Sequence, residues 1–179
     1  MEQYITIIGS RTTPPAILEL MRQYAEISYK QGFIIRSGGA AGADHIVTKY
    51  VPAPYREIYI PWNDFNGLRH NGTDIFLWTK SPKKVNATAT AIECYHNKEF
   101  LKPSHKALHS RNMMQIFGFN MDVNEKSEAV ICWTPNGELI GGTRSAIVAA
   151  NKVDIPVYNL GDITTLKVII QSIRDLKEE

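Results

Sequence analysis

The sequence predicts an α/β fold: a mainly parallel sheet with helices on both faces. Three observations lead there. Short β-branched runs alternate with segments of helical period, joined by short connections, as in successive βαβ units. The length, 179 residues, suits a single domain spanning 1–179. Glycine-bearing segments follow three of the expected strands, where a parallel sheet hands its chain to the next helix.

Residues 4–9 (YITIIG) are short and β-branched, the mark of a buried strand. SRTTPP after them is loop chemistry, with proline where a helix can begin. Over 16–31, Ile17, Leu18, Met21, Ala25 and Ile27 fall at mostly helical spacing, and Gly32 ends the helix. A strand at 33–36 follows, then SGGAAGA leads into a helix over 44–50. Residues 55–60 (YREIYI) are a third strand. The second half closes in the same way, with a strand at 129–133 (AVICW), a helix at 142–152, a strand at 155–159 (IPVYN) and a helix at 163–177. Between the halves, about 62–119 is less regular. There 74–79 is a short strand or an apolar loop, 85–97 and 104–117 are helical with Pro103 between them, and SPKK at 81–84 is an exposed loop tip.

Composition excludes several classes. Hydrophobic residues make up 44% and charged residues 21%, which excludes a disordered, collagen-like or coiled-coil chain. No apolar run reaches the roughly 18–20 residues of a membrane helix. The chain runs from its first residues into a strand without a basic region or cleavage site, so a cytoplasmic protein is expected. Cys94 and Cys132 match no metal or redox spacing and read as reduced thiols. A net charge of +2 neither demands nor excludes nucleic acid.

The chemistry is expected in Gly9-Ser10-Arg11, in the run from Ser37, Gly38 and Gly39 through Gly42 to Asp44, and in Gly141-Gly142-Thr143. Ligands of open parallel sheets lie beyond the carboxyl ends of the strands, so the three segments should converge on one crevice. Glycine lets backbone approach a ligand, and helix N-termini offer N–H groups to phosphate. Ser10 and Thr143 add hydroxyls. Arg11 is placed to pair with a phosphate or stack on a base. Asp44 either compensates a helix dipole or binds ribose hydroxyls and orients the glycine loop. Arg111 and Asn112 stand in HSRNMMQIFG, where the apolar residues that follow put Arg111 at the boundary of core and cleft. Trp133 ends a strand and either stacks on a base or packs. No Walker loop, dinucleotide fingerprint or G-x-S-x-G elbow occurs. His105 and His109, with His96 upstream, lack the further ligands and the glutamate of a zinc site, so no metal and no cofactor are expected.

IIGSR, SGGAAGAD, LHSRNMMQIFG and ICWTPNG followed by GGT together resemble the SLOG superfamily. That group joins the Rossmann-like domain of DNA-processing protein A (Smf) with the Lonely Guy phosphoribohydrolases. The resemblance is strongest to its small stand-alone members of phages and bacteria, and it covers about residues 4–159. It implies a Rossmann-like domain binding a nucleotide or nucleotide-derived ligand through the loops just named. Lonely Guy enzymes carry P-G-G-x-G-T-x-x-E, whereas Ile140 to Ile147 here holds no glutamate.

Three functions follow. The first is a sensor or sequestering protein for a nucleotide-like small molecule, such as an ADP-ribose-type or cyclic nucleotide signal. The second is a nucleoside-monophosphate N-glycosidase, with Asp44 or Glu138 as its carboxylate. The third is single-stranded DNA binding of the DNA-processing-A kind, suggested by Lys80, Lys83, Lys84, Lys98, Lys102 and Lys106 in the central segment. Met113, Met114, Ile116, Phe117, Phe119 and Met121 exceed what one small core needs; such a wide apolar face either fills the monomer core or meets a partner, and a homo-oligomer is expected.

Overall fold

The computed structural model describes residues 2–95 and 102–178. In chain order the regular elements are β1 (Tyr4–Gly9), α1 (Pro15–Lys30), β2 (Ile34–Ser37), α2 (Ala43–Tyr50), β3 (Arg56–Ile60), β4 (Ile75–Leu77), α3 (Lys84–Cys94), α4 (Pro103–Phe117), β5 (Ala129–Trp133), α5 (Arg144–Lys152), β6 (Val157–Asn159) and α6 (Ile163–Glu178). The strands form one sheet in the order β4-β3-β2-β1-β5-β6, and every neighbouring pair is parallel. The α/β architecture therefore stands as expected. β1 and β5 match their sequence-derived bounds residue for residue, and the ambiguous stretch after Asp74 is a short edge strand. The last residues of the helix expected over 85–97 lie outside the described residues.

Parallel strands covered by helices on both faces must be apolar on both sides, and these are. Successive side chains alternate across the sheet. Ile5 and Ile7 point into one layer, with Ile17, Met21 and Ala25 of α1, Ile46 and Val47 of α2, and Ile169 and Ile173 of α6. Ile8, Val130 and Cys132 point into the other, with Ala87 and Ala91 of α3, Met113, Met114 and Ile116 of α4, and Ala146, Ala149 and Ala150 of α5. Thr6 sits on that second face, fully buried, and its hydroxyl donates to the Gln115 carbonyl at 2.5 Å, so no polar atom is stranded.

α1 shows how local sequence sets an element. Pro15 takes the first helical position, where a missing N–H costs nothing. Ile17, Met21, Ala25 and Ser28 then fall on one buried face. Gly32 at φ +94° turns the chain out of the helix toward β2.

α4 behaves differently. All nine residues from His109 to Phe117 are buried, because the helix lies between α3, α5 and the sheet. Its methionines, Ile116 and Phe117 are thus used inside the chain's own core, with Phe119 and Met121 packed against them. The apolar excess that suggested an oligomer is absorbed there, and it no longer argues for self-association. The SPKK stretch is also only partly a loop tip. Ser81 is buried and its hydroxyl donates to the Phe119 carbonyl at 2.5 Å, while Pro82 to Lys84 are exposed. Among the described residues, no helix is long and apolar enough to cross a membrane.

Candidate functional site

β1 and β5 are adjacent, yet the chain leaves β1 toward α1 on one face and β5 toward α5 on the other. Their loops diverge and leave a gap beyond the carboxyl ends of the strands, the place where open α/β sheets hold ligands. A crevice of about 540 Å³ occupies it. Gly9, Ser10 and Arg11 form one rim, and Thr134, Pro135 and Ile140 to Thr143 the other. The floor and back wall come from Ala40, Asp44 and the inward side of α4, with Phe65 and Tyr95 added from distant segments.

Arg11 stands on a tight turn. The Ser10 N–H donates to the Trp133 carbonyl at 3.1 Å, tying this turn to the end of β5. The Ser10 carbonyl accepts from the Thr13 hydroxyl at 2.6 Å, and the Ser10 hydroxyl accepts from the Thr12 N–H at 3.2 Å. The hydroxyl expected to serve the ligand is therefore engaged in shaping its own loop. Arg11 itself is exposed, and among the described residues no carboxylate lies within ion-pairing distance of it.

Beneath the rim lies a buried ion pair. Asp44, in the first turn of α2, receives Arg111 Nη1 at 3.4 Å and the Ala40 N–H at 3.3 Å on one oxygen. Burial pushes the Asp44 carboxyl above the usual carboxylate range, and the Arg111 guanidinium and the Ala40 amide pull it only partway back. Burial lowers the pKa of the Arg111 guanidinium and Asp44 offsets this only in part, yet the group remains charged, as Arg does in proteins. With its amide oxygen turned inward, Gln115 accepts from Arg111 Nη1 at 2.8 Å and from the Gly38 N–H at 3.0 Å. Asp44 thus does more than complement a helix dipole, because it holds the one cation buried under the crevice floor among the described residues that line it.

α4 also secures the opposite rim. Asn112 Nδ2 donates to the Gly142 carbonyl at 2.8 Å and to Ser145 Oγ at 3.1 Å. His109 Nδ1 and Ser145 Oγ are 2.7 Å apart, and the Tyr95 ring lies 4.3 Å from the His109 ring. A single turn of α4, from His109 to Asn112, therefore fastens the start of α5 and the loop before it.

The expected site residues divide into two groups. Gly9, Ser10, Arg11, Asp44, Arg111, Asn112, Gly141, Gly142 and Thr143 line the crevice. Ser37, Gly38, Gly39, Gly42 and Trp133 are not among its lining residues. The Ser37 hydroxyl is fully buried and donates to the Ile7 carbonyl at 2.6 Å. The three glycines are covered by protein: Gly38 by Arg111, Gly39 by Leu68, and Gly42 by the backbone of Ser10 and Arg11. The half-buried Trp133 ring packs on the layer of α1, α2 and α6, so its contribution to the rim is its backbone carbonyl. Glu138 is exposed and outside the crevice.

Sequence reasoning missed Phe65, Tyr95, Leu108, Gln115 and Ile140. None carries a local signal, since an aromatic in a loop or a Gln within an apolar helix is ordinary. His105 and His109 both line the crevice, but no group of three or more metal-ligating side chains gathers among the described residues. His96 and Lys98 lie outside them.

No protein-family model matches the chain, and no curated protein matches it. Among solved structures it is similar to DNA processing protein A from Helicobacter pylori, a protein that binds single-stranded DNA. The two share 22% identity with a TM-score of 0.57, over 98% of this chain and 80% of that one. The likeness establishes a Rossmann-like fold of the DNA-processing-A kind.

Proposed function

We propose that the crevice binds a nucleotide unit of single-stranded DNA, with its phosphate between Arg11 and the backbone of Gly141 to Thr143. The observation that carries this is Arg11: an exposed guanidinium with no carboxylate partner among the described residues, on the rim of a crevice whose other rim is open glycine backbone. Two or three backbone N–H groups satisfy phosphate oxygens without neutralising their charge, and Arg11 supplies the cation. The buried Arg111 is already committed to Asp44 and Gln115. Exposed Lys102 and Lys106, at the start of α4 on either side of the crevice-lining His105, extend the positive side of the mouth. The likeness to the Helicobacter pylori protein supports a strand over a free nucleotide, reversing the order that the sequence suggests.

A second reading, a free nucleotide or nucleotide-derived signal, is favoured by the volume. About 540 Å³ falls within the roughly 300–1,000 Å³ of small-molecule sites. The glycosidase reading has weaker support. Asp44 is the carboxylate in the crevice lining, and one of its oxygens is covered while the other is engaged by Arg111 and Ala40.

Anisotropy titration of a labelled thymidine oligonucleotide, with mononucleotides as competitors, separates the two. The strand reading expects the oligonucleotide to bind more tightly than any mononucleotide, with affinity falling as salt rises. Tight binding of a mononucleotide by a protein indifferent to oligonucleotides establishes the second reading instead.

A further inference from the structure

We infer that Trp62 is a stacking platform for the base that follows the nucleotide held in the crevice. The inference rests on the single-stranded DNA reading of that site.

Trp62 lies two residues beyond β3, at the carboxyl edge of the sheet where the crevice opens, and its side chain is 42% exposed. Its ring meets Phe65 edge-on, with centroids 5.3 Å apart and planes at 89°. Phe65 is itself a wall of the crevice and packs beside the Arg111 guanidinium at 5.6 Å. An aromatic step therefore leads from the inside of the crevice to its outer surface. Among the described residues two other aromatic rings are comparably exposed, and both occupy the amino-terminal side of β3. Tyr50 has Arg22 and Lys49 over its ring, and Tyr55 stacks on Tyr29. Those rings are engaged by their own neighbours. The exposed part of Trp62 faces solvent beside a site already read as taking nucleotides.

The loop that presents this ring is held firmly. Asp64, Asn66 and Gly67 all adopt left-handed backbone, at φ +65°, +51° and +78°. Asp, Asn and Gly are the residues that take up that conformation most readily, so the sequence suits this turn. Here Arg69 grips both Asp64 oxygens, Asn66 Nδ2 donates to the Gly39 carbonyl at 3.0 Å, and the His70 N–H donates to Asn63 Oδ1 at 3.0 Å. A pre-set aromatic face suits the unpaired bases of a single strand, whose flat surfaces stack with little regard to sequence. It offers nothing to a duplex, whose bases cover one another.

The test compares wild type with Trp62→Ala, Trp62→Phe and Arg11→Ala, using the labelled thymidine oligonucleotide and a strand of the same length that carries one base in an otherwise abasic backbone. Trp62→Ala is expected to weaken oligonucleotide binding by about 5- to 150-fold, with Trp62→Phe recovering most of it. Neither change should alter affinity for the single-base strand. Quenching of tryptophan emission by the oligonucleotide should fall in Trp62→Phe, leaving only what Trp78 and Trp133 contribute. If Arg11→Ala weakens binding and Trp62→Ala does not, the platform is wrong and the crevice reading stands. If the oligonucleotide binds neither wild type nor any variant, the crevice reading falls and takes the platform with it. If Trp62→Ala leaves affinity unchanged and instead dissociates an assembly seen by light scattering, the ring belongs to a contact between copies and the inference is overturned.

Discussion

The segments Ser37 to Asp44 and Gly141 to Arg144 each carry adjacent glycines after a parallel strand, and each runs into a helix. In the first, a methyl group added at Gly38 would lie 1.4 Å from Arg111 Nη1, one at Gly39 would lie 2.4 Å from Leu68, and one at Gly42 would lie 2.6 Å from the Ser10 carbonyl oxygen. In the second, a methyl group at Gly141 or Gly142 would meet nothing within 4 Å. The first segment uses its glycines to let other parts of the protein come close. The second leaves its backbone facing the crevice. The same residue at the same topological place is thus a packing device in one loop and an open edge in the other, and the difference lies in what folds over each.

The sharpest way to break this comparison is Gly38→Ala. Gly38 lies outside the left-handed region, so the cost is the steric one of its added methyl group. The methyl group must expel Arg111 from beside Gly38, and a buried pair broken from one side typically costs about 3–5 kcal/mol. A drop of that order in urea-unfolding free energy is expected. A change below about 1 kcal/mol would show that the Arg111 side chain has another place to go.

Arg11→Ala tests the open side. Its loss should weaken oligonucleotide binding by about 10- to 150-fold, the equivalent of a charge-assisted contact of about 1.5–3 kcal/mol. Arg11→Lys should restore part of this, because an ammonium lacks the planar fork. The melting temperature should not move, since the exposed side chain carries no core contact. Equal calorimetric affinity of wild type and Arg11→Ala would remove Arg11 from the site.

The two open glycines should differ slightly from each other. Gly141 has φ +67°, so Gly141→Ala carries the strain of a left-handed alanine, about 1 kcal/mol of stability. Gly142 does not, and Gly142→Ala should change stability by less than about 0.5 kcal/mol. Its methyl group would still point into free space at the rim, so lowered ligand affinity with unchanged unfolding is the expected signature. Unchanged affinity in Gly142→Ala would mean that the ligand does not approach this backbone.

Much of the fold was legible because its signals are local. β1 and β5 are runs of β-branched residues with short loops, and burial from both faces leaves few other compositions for a central parallel strand. α1 declared itself through Pro15 and its period of buried positions. α4 hid its environment, because its second half, from His109 to Phe117, is buried on every side and leaves no exposed face from which to read its orientation, and its methionines looked like a surface awaiting a partner.

From the sequence alone followed the alternation of strands and helices, the parallel sheet, and the convergence of three loops on its carboxyl edge, since chain order and right-handed crossovers leave little choice in the matter. The exposed cation on the first loop was also visible there. Tertiary structure alone decided which glycines face protein and which face the crevice, that Arg111 is spent on Asp44, and that Phe65 and Tyr95 complete the walls. The reason is distance along the chain. Arg111 reaches Gly38 and Asp44 across more than sixty positions, and only the packing of α4 against the sheet determines which backbone it covers.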